Sequence, residues 1–177
     1  MRKILDEKGL KECIKKLAQE IVSREKENIF CVVGIKRRGD IIAKRLKDAL
    51  ESLGKKIKYG SIDITLYRDD LTSIAKKPIV HKTEIPFNIE GEPIILVDDV
   101  LYTGRTIRAA LKELVDLGRP KYVRLVCIID RGHRELPICA DYIGKKIETT
   151  NDEIVEVKVK ELDGEDSVIV VNKSEMK

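Results

Sequence analysis

The segment that most constrains this chain is residues 93–106, where four apolar residues are followed by two acids and a polar turn, P-I-I-L-V-D-D-V-L-Y-T-G-R-T. The run from Ile94 to Val97 predicts a strand buried on both faces, as in a parallel sheet. Asp98 and Asp99 follow at its carboxyl end, and a helix with apolar positions at 107, 111 and 114 comes next. The pattern therefore predicts an open α/β sheet that binds a ligand at this edge.

The two parts of this segment favour different parts of a ligand. The N–H groups at a helix N-terminus suit a phosphate, Gly104 lets the backbone come close, and the hydroxyls of Thr103 and Thr106 add donors. Carboxylates instead favour hydroxyls or a metal. A sugar phosphate, with a ribose diol next to its phosphate, satisfies both. The alternative is an acidic surface turn without a ligand, in which adjacent carboxylates are costly unless cations lie nearby.

A second candidate site is the turn G-I-K-R-R-G at residues 34–39, between a predicted strand at 29–33 and a predicted helix. The core side of that helix is expected to comprise Ile42, Leu46, Leu50 and Leu53. Lys36, Arg37 and Arg38 can surround a polyanion such as pyrophosphate. The turn is not a Walker A loop, because the following Lys-Ser/Thr is missing. Alone it is equally consistent with an ordinary charged turn, but beside the acidic turn it becomes the other half of one site.

Size and composition predict one water-soluble globular domain. The chain has 177 residues, of which 42% are hydrophobic and 37% charged, and its net charge of +4 permits contact with nucleic acid or phosphates without requiring it. The four cysteines have no C-x-x-C spacing, so we expect reduced thiols in the cytoplasm rather than disulfides or a metal. The sequence has no signal peptide or spanning segment, and we expect no membrane partner.

Further elements are predicted along the chain. Leu10, Ile14, Leu17 and Ile21 indicate an amphipathic helix whose lysines face solvent or, alternatively, RNA. Strands are expected at 59–65 and 122–129, and runs at 142–143, 154–159 and 168–171 predict a small antiparallel cap. The polar stretch at about 66–86 contains Arg68, and its length indicates either a lid over an anion or an unstructured hairpin.

Four segments together resemble a known family. They are G-I-K-R-R-G-D-I-I-A-K-R-L, D-I-T-L-Y-R-D-D-L, V-D-D-V-L-Y-T-G-R-T and D-R-G-H-R-E-L-P-I. In this order and spacing, over residues 3–172, they are similar to the bifunctional pyrimidine-operon attenuation protein/uracil phosphoribosyltransferase (PyrR) family. The third segment alone resembles the 5-phosphoribosyl-1-pyrophosphate (PRPP) motif of type I phosphoribosyltransferases. The resemblance implies an α/β, type I phosphoribosyltransferase fold in one domain, 1–177: a twisted, mainly parallel sheet flanked by helices, a flexible loop at about 66–86 and a small antiparallel cap (hood) at about 131–172.

The resemblance also implies a reaction, in which uracil and PRPP give UMP and pyrophosphate with Mg²⁺ as cofactor. Thr103–Thr106 would bind the 5-phosphate. Asp98 and Asp99 would bind the ribose hydroxyls and are the candidate ligands for Mg²⁺. With Arg68 on the lid, these two acids form the expected catalytic set. Tyr102 stands where purine-using relatives usually carry an Asp, which favours a pyrimidine. The implied PRPP- and UMP-binding residues are Lys36, Arg37, Arg38, Gly39, Asp98, Asp99, Val100, Leu101, Tyr102, Thr103, Gly104, Arg105, Thr106, Asp130 and Arg131.

A second implied activity is binding of the pyrimidine-operon leader mRNA when UMP or UTP is present, which promotes transcription termination. The implied basic surface consists of Lys15, Lys16, Arg24, His133, Arg134 and Lys145. Gln19 and Cys139 stand where relatives often carry His and Arg, so part of this surface has fewer basic residues. The alternatives are an RNA-binding regulator whose site only senses nucleotides, and a hypoxanthine-type transferase. The resemblance further implies a homodimer or tetramer.

Overall fold

The computed structural model describes residues 1–64 and 83–176, and its centre is a five-stranded parallel sheet. The elements follow one another as β1 (Arg2–Leu5), α1 (Glu7–Arg24), β2 (Ile29–Lys36), α2 (Gly39–Ser52), β3 (Lys56–Asp63), β4 (Pro93–Leu101), α3 (Arg105–Leu117), β5 (Tyr122–Asp130), β6 (Tyr142–Lys146), β7 (Glu153–Lys158), α4 (Lys160–Asp163) and β8 (Ser167–Asn172). The central sheet has the spatial order β3-β2-β4-β5-β6, and every neighbouring pair is parallel.

The alternation of side chains along the central strands produces two cores. Residues Ile95 and Val97 of β4 pack with α1 and α2 on one face, whereas Ile94 and Leu96 pack with α3 on the other. All four residues are fully buried, which confirms the strand predicted from their uninterrupted apolar run. The predicted amphipathic helix is α1, whose N-cap Asp6 accepts a hydrogen bond from the N–H of Gly9 at 2.7 Å.

A second sheet of three antiparallel strands, in the order β1-β8-β7, packs beside the carboxyl edge of the first. The pairing of β7 with β8 agrees with the cap predicted at 154–159 and 168–171. The assignment of 142–143 to this cap is wrong, because β6 extends the central sheet parallel to β5, with Tyr142 opposite Val126. The third strand of the cap comes instead from β1, where Arg2 lies opposite Val170.

Several predicted boundaries shift by a few residues. The strand β4 continues through both acids to Leu101, and β3 lies at Lys56–Asp63 rather than 59–65. Leu53 is 42% exposed beyond the end of α2, so its predicted place in the core is wrong. The lid predicted at about 66–86, including Arg68, falls almost entirely outside the described residues. Within the described ranges, none of the helices has the length and apolar character that a membrane crossing needs.

Candidate active site

A cleft of about 620 Å³ opens at the carboxyl edge of the central sheet. The end of β4 and the first turn of α3 form one wall, and β7 of the antiparallel sheet forms the other. The central-sheet residues that line it are Arg38, Asp98, Asp99, Val100, Leu101, Tyr102, Thr103, Gly104, Arg105, Thr106, Ile107 and Arg131. Most of the residues predicted to bind PRPP therefore lie together around one cavity, where a doubly wound sheet places its ligand.

The acid pair is held by its own backbone. Asp98 is 4% exposed, and its Oδ1 accepts the N–H of Asp99 at 2.9 Å. The Oδ1 of Asp99 accepts the N–H of Val100 at 2.8 Å. Cys127 lies beside Asp98 on β5, where burial and the charges of both acids raise the pKa of its thiol. This buried thiol therefore stays protonated and supplies no nucleophile to the cleft.

The turn after β4 presents backbone N–H groups at the cleft. Gly104 has a φ of +94°, a left-handed conformation that glycine adopts without a steric penalty, and it begins α3. Thr103 Oγ1 accepts the N–H of Arg105 at 3.2 Å. Gly104, the N-cap residue, has no side chain with which to cap the first turn of α3. A helix N-terminus of this kind, with polar hydroxyls beside it, is suited to a phosphate.

The cationic turn touches the acid strand directly. Arg38, at the start of α2, has a φ of +70°, and the peptide bond between Lys36 and Arg37 is cis. A Cβ atom on Gly39 would lie 2.9 Å from the carbonyl oxygen of Val97 and 3.2 Å from Cα of Asp98. Only glycine therefore lets α2 begin this close to β4. Because Gly39 has no side chain, the cationic turn and the acid pair can lie side by side.

Arg131 forms the floor of the cleft beside Tyr102. It is 5% exposed, and its guanidinium carbon lies 4.0 Å from the centre of the Tyr102 ring. Its Nε donates to Thr149 Oγ1 at 3.1 Å and its Nη2 to the carbonyl of Thr150 at 3.0 Å. Burial lowers the pKa of this guanidinium from its usual value, although arginine remains charged. The pair presents an aromatic and cationic surface, which suits a planar, hydrogen-bonding ligand.

Arg134 connects the turn after β5 to the turn after β4. Its Nη2 lies 2.7 Å from each carboxylate oxygen of Asp130, and its Nη1 donates to the carbonyl of Tyr102 at 2.6 Å. Burial alone would raise the pKa of Asp130, but the hydrogen bonds from Arg134 and from the N–H of Gly132 bring it below its usual range. Most of the guanidinium donors are thus used inside the protein, which sequence reasoning did not predict.

The residues predicted to contact RNA are divided among three places. Lys15 lines a groove between α1 and α2. Lys16 lies beside Cys13, whose sulfur faces Gly144 of β6, and Arg24 stacks 4.7 Å from the ring centre of Tyr142 on the same strand. Lys145 is exposed on β6, on the strand against which α1 packs.

His133, another predicted RNA contact, lies beside the cleft. It has a φ of +62°, its Nε2 lies 2.7 Å from the carbonyl oxygen of Thr149, and its ring meets that of Tyr102 edge-on. The ring thus supports the floor formed by Tyr102 and Arg131, and its exposed edge borders the solvent.

Comparisons with known proteins identify the family. A family model described as "Phosphoribosyl transferase domain" matches residues 2–162. "Bifunctional protein PyrR" of Pelotomaculum thermopropionicum is 48% identical over 97% of this chain and 96% of its own length. The protein of the same name from Elusimicrobium minutum is 51% identical over 97% of both chains. The chain belongs to the PyrR family. The resemblance carried by the four sequence segments is thereby confirmed.

Solved structures with this fold agree with the predicted class. Hypoxanthine phosphoribosyltransferase of Trypanosoma cruzi matches with a TM-score of 0.74 at 18% identity, covering 97% of both chains. A hypoxanthine-guanine phosphoribosyltransferase of Bacillus anthracis matches with a TM-score of 0.68 at 21% identity, covering 88% of this chain and 85% of its own. At these identities the likeness establishes the fold, and the prediction of a type I phosphoribosyltransferase fold for this PyrR family member is confirmed.

Proposed function

We propose that this protein transfers the phosphoribosyl group of PRPP to uracil, giving UMP and pyrophosphate, and that it also regulates pyrimidine-operon transcription by binding leader mRNA. The observation that carries the first activity is the meeting of three groups in one cleft: the acid pair of β4, the first turn of α3 with its glycine N-cap, and the cationic turn before α2. Membership in the PyrR family supports uracil as the acceptor and RNA as the second partner.

The three groups match the three parts of PRPP. The N–H groups and hydroxyls of residues 103–106 bind the 5-phosphate. Asp98 and Asp99 accept hydrogen bonds from the ribose hydroxyls, as carboxylates do. Hydrogen bonds from the backbone of β4 hold the two carboxylates in place. Arg38, with Lys36 and Arg37 on the same turn, binds the diphosphate. A ligand held at all three places has its reacting carbon fixed between them.

The base lies beside Tyr102 and Arg131 in this proposal. The tyrosine cannot act as a carboxylate base toward a purine ring, and the buried guanidinium next to it offers a hydrogen-bond donor that suits a pyrimidine carbonyl. His133 and the hydrogen bonds to Thr149 and Thr150 fix this pair in place. A rigid base subsite favours one class of base over another, since a misfit leaves buried polar groups unpaired.

Mg²⁺ fits this site as an ion that arrives with PRPP. The residues described in the structure include no cluster of three or more His, Cys, Asp or Glu side chains able to hold a metal by themselves. Asp98 and Asp99 supply hard carboxylate oxygens, and Mg²⁺ is commonly held by one or two carboxylates together with substrate phosphates. When bound, the ion neutralises negative charge that develops on the departing pyrophosphate.

The chain's own residues act on the charges of the transition state. Breaking the bond between C1 of ribose and pyrophosphate leaves positive charge on the ring, which Asp98 and Asp99 stabilise. Arg38 and its neighbours stabilise the negative charge on the leaving group. Holding uracil and PRPP in line contributes on the order of 7–11 kcal/mol to lowering the barrier. No nucleophilic side chain is required.

The direct test is formation of UMP from uracil and PRPP with Mg²⁺, followed by chromatography. We expect turnover with uracil and no inhibition by excess hypoxanthine. Turnover with hypoxanthine would favour the purine-type alternative. Absence of turnover with either base, together with UMP binding in a calorimeter, would favour the alternative of a nucleotide-sensing regulator.

The second activity is supported by the exposed cations along α1 and β6, namely Lys16, Arg24 and Lys145. We expect a filter-binding titration with a pyrimidine-operon leader hairpin to show tighter binding with UMP or UTP present. The affinity is expected to fall steeply with salt, because each contact to a phosphate releases a counterion. Affinity unaffected by nucleotide would contradict the regulatory assignment. Sedimentation at micromolar concentration tests the expected dimer or tetramer.

A further inference from the structure

A short acidic segment of the antiparallel sheet reaches across to α2. It comprises α4 and the turn to β8, and two arginines bind it, one immediately before α2 and one within α2. Arg38 donates from Nη2 and Nε to the two carboxylate oxygens of Asp163, at 2.8 and 3.2 Å. Arg45 donates to Asp166 at 2.8 and 2.9 Å and to Glu161 at 2.6 Å. Arg38 lies immediately before α2 and Arg45 lies within it, and both bind the same acidic segment.

The two ion pairs differ in what else their arginines touch. Arg38 belongs to the cationic turn and lines the cleft, where Asp99 and Glu156 are its other charged neighbours. Arg45 lines the groove between α1 and α2 instead. The same acidic segment therefore makes one contact with a residue that lines the cleft and one with a residue that does not.

The pairing of Arg38 with Asp163 is fixed from both sides. The Asp163 side chain is 17% exposed, and its Oδ2 also accepts the N–H of Val159 at 2.9 Å. Burial alone would raise the pKa of Asp163, but the hydrogen bonds from Arg38 and Val159 bring it below its usual range. The hydrogen bond to Asp163 likewise raises the pKa of Arg38. Both groups are therefore charged at neutral pH.

We infer that Asp163 is a positioning residue for pyrophosphate binding, which holds the Arg38 guanidinium so that its remaining Nη1 edge is presented to the diphosphate of PRPP. This inference rests on the proposed function. An arginine side chain loses substantial rotamer freedom when it is ordered, and a bidentate carboxylate pays that cost before the ligand arrives. Within the described residues Nη1 of Arg38 makes no hydrogen bond to another group, which leaves its donors for the ligand.

A competing role for Asp163 makes the opposite prediction. If the carboxylate merely occupied Arg38 until pyrophosphate displaced it, removing the charge would strengthen PRPP binding. If it positions Arg38, removing the charge weakens PRPP binding, and kcat falls to the extent that Arg38 also stabilises the leaving group in the transition state. The sign of the change in KM for PRPP therefore distinguishes positioning from competition.

The test compares Asp163→Asn with Asp166→Asn, which weakens the matched ion pair to Arg45. We expect Asp163→Asn to raise KM for PRPP by about fivefold, as for loss of one partly exposed charged hydrogen bond, and to leave kcat unchanged or lowered. Asp166→Asn should leave both constants unchanged. Asp163→Glu should recover part of the loss, and Asp163→Asn should add nothing once Arg38 is replaced by Ala.

An unchanged or lowered KM in Asp163→Asn would overturn the inference, and so would an equal rise in Asp166→Asn. Thermal unfolding of each variant identifies any that fails to fold. In that event Arg38→Lys, which keeps the charge but loses the two-nitrogen fork, must show the same rise in KM. Failure of the wild-type protein to form UMP would instead contradict the proposed function. Calorimetric titration of PRPP into the same variants then tests Asp163 separately.

Discussion

The two edges of the central sheet use charged residues in different ways. At the amino edge, Glu25 and Glu27 at the end of α1 meet side chains of β5 and β6. Tyr142 donates to Glu25 at 2.6 Å, and Arg124 donates to the same carboxylate at 2.9 Å. Tyr122 donates to Glu27 at 2.7 Å. At the carboxyl edge, Asp98 and Asp99 accept from the backbone of their own strand instead, and a cleft lies in front of them.

The backbone differs between these edges as well. In the described ranges two residues other than glycine have a positive φ, Arg38 and His133, and both lie in turns at the carboxyl edge. Such conformations cost on the order of 1–3 kcal/mol each and tend to accumulate at functional sites. The amino edge is thus a closed network that fastens α1 to the sheet, whereas the carboxyl edge retains backbone donors and cations in fixed positions for a ligand.

The largest expected loss of stability comes from replacing Arg134. This residue forms an arginine–carboxylate pair at the carboxyl edge that resembles the pairs at the amino edge. Arg134→Gln removes the guanidinium whose Nη2 contacts both oxygens of the Asp130 carboxylate, a side chain that is 11% exposed. We expect the free energy of unfolding, measured by urea denaturation, to fall by about 3 kcal/mol. Arg124→Gln at the amino edge should cost less, because the Arg124 side chain is 37% exposed against 22% for Arg134, and Arg134 also donates to the carbonyl of Tyr102. A smaller loss in Arg134→Gln than in Arg124→Gln would contradict this comparison.

Gly39→Ala tests how tightly the two half-sites are packed. The new methyl group would meet the carbonyl of Val97 and the backbone of Asp98, so we expect a loss of about 2 kcal/mol in stability and a rise in KM for PRPP. Gly144→Ala is the matched control, since its methyl would meet Cys13 and the carbonyl of Ile128 away from the cleft. Gly144→Ala should destabilise the protein without changing the KM for PRPP. If the KM were unchanged in both variants, Gly39 would have no part in ligand binding.

Asp99→Asn tests the acid pair itself. We expect kcat with uracil to fall by about tenfold, which corresponds to about 1.4 kcal/mol, because a neutral amide stabilises positive charge on the ribose less well than a carboxylate. The thermal unfolding midpoint should stay close to that of wild type, since the amide oxygen can still accept the N–H of Val100. Unchanged kinetics would remove Asp99 from the proposed ribose subsite.

Glu27→Gln is expected to change stability least, and it tests whether the amino edge is a stabilising network. Hydrogen bonds from Tyr122 and Lys121 lower the pKa of Glu27 to about 2. A lowered pKa contributes stability that is present above the unfolded-state value of about 4.3 and is lost as pH falls through the folded-state value. We expect Glu27→Gln to cost about 1 kcal/mol at pH 7 with unchanged turnover. The difference from wild type should shrink between pH 5 and pH 2, as measured by chemical denaturation.

The sequence predicted the elements that depend on local periodicity. The buried run of β4, the amphipathic spacing of α1 and the order of the four motifs located the central sheet and the candidate cleft correctly. The acid pair lies near the end of β4 and Gly104 follows shortly after it, so their proximity required no long-range information.

The features missed by the sequence predictions depend on contacts between distant residues. The strand β6 is parallel to β5 although only residues 131–141 connect them, a length for which a parallel crossover is not usually expected. The strand β1 has four residues and pairs with β8 at the other end of the chain. Asp163 meets Arg38 across 125 positions, and no local pattern indicates that pairing. Arg134 looked like a surface cation, although its spacing of four from Asp130 was visible.

The pairing of β1 with β8 has a consequence for synthesis on the ribosome. Arg2 is made long before its partner Val170, so this sheet cannot assemble until the chain has been extended past β8. The central sheet, complete at Lys146, has all its strands earlier. A nascent chain therefore acquires its acid pair before it acquires Asp163, the residue proposed to position Arg38.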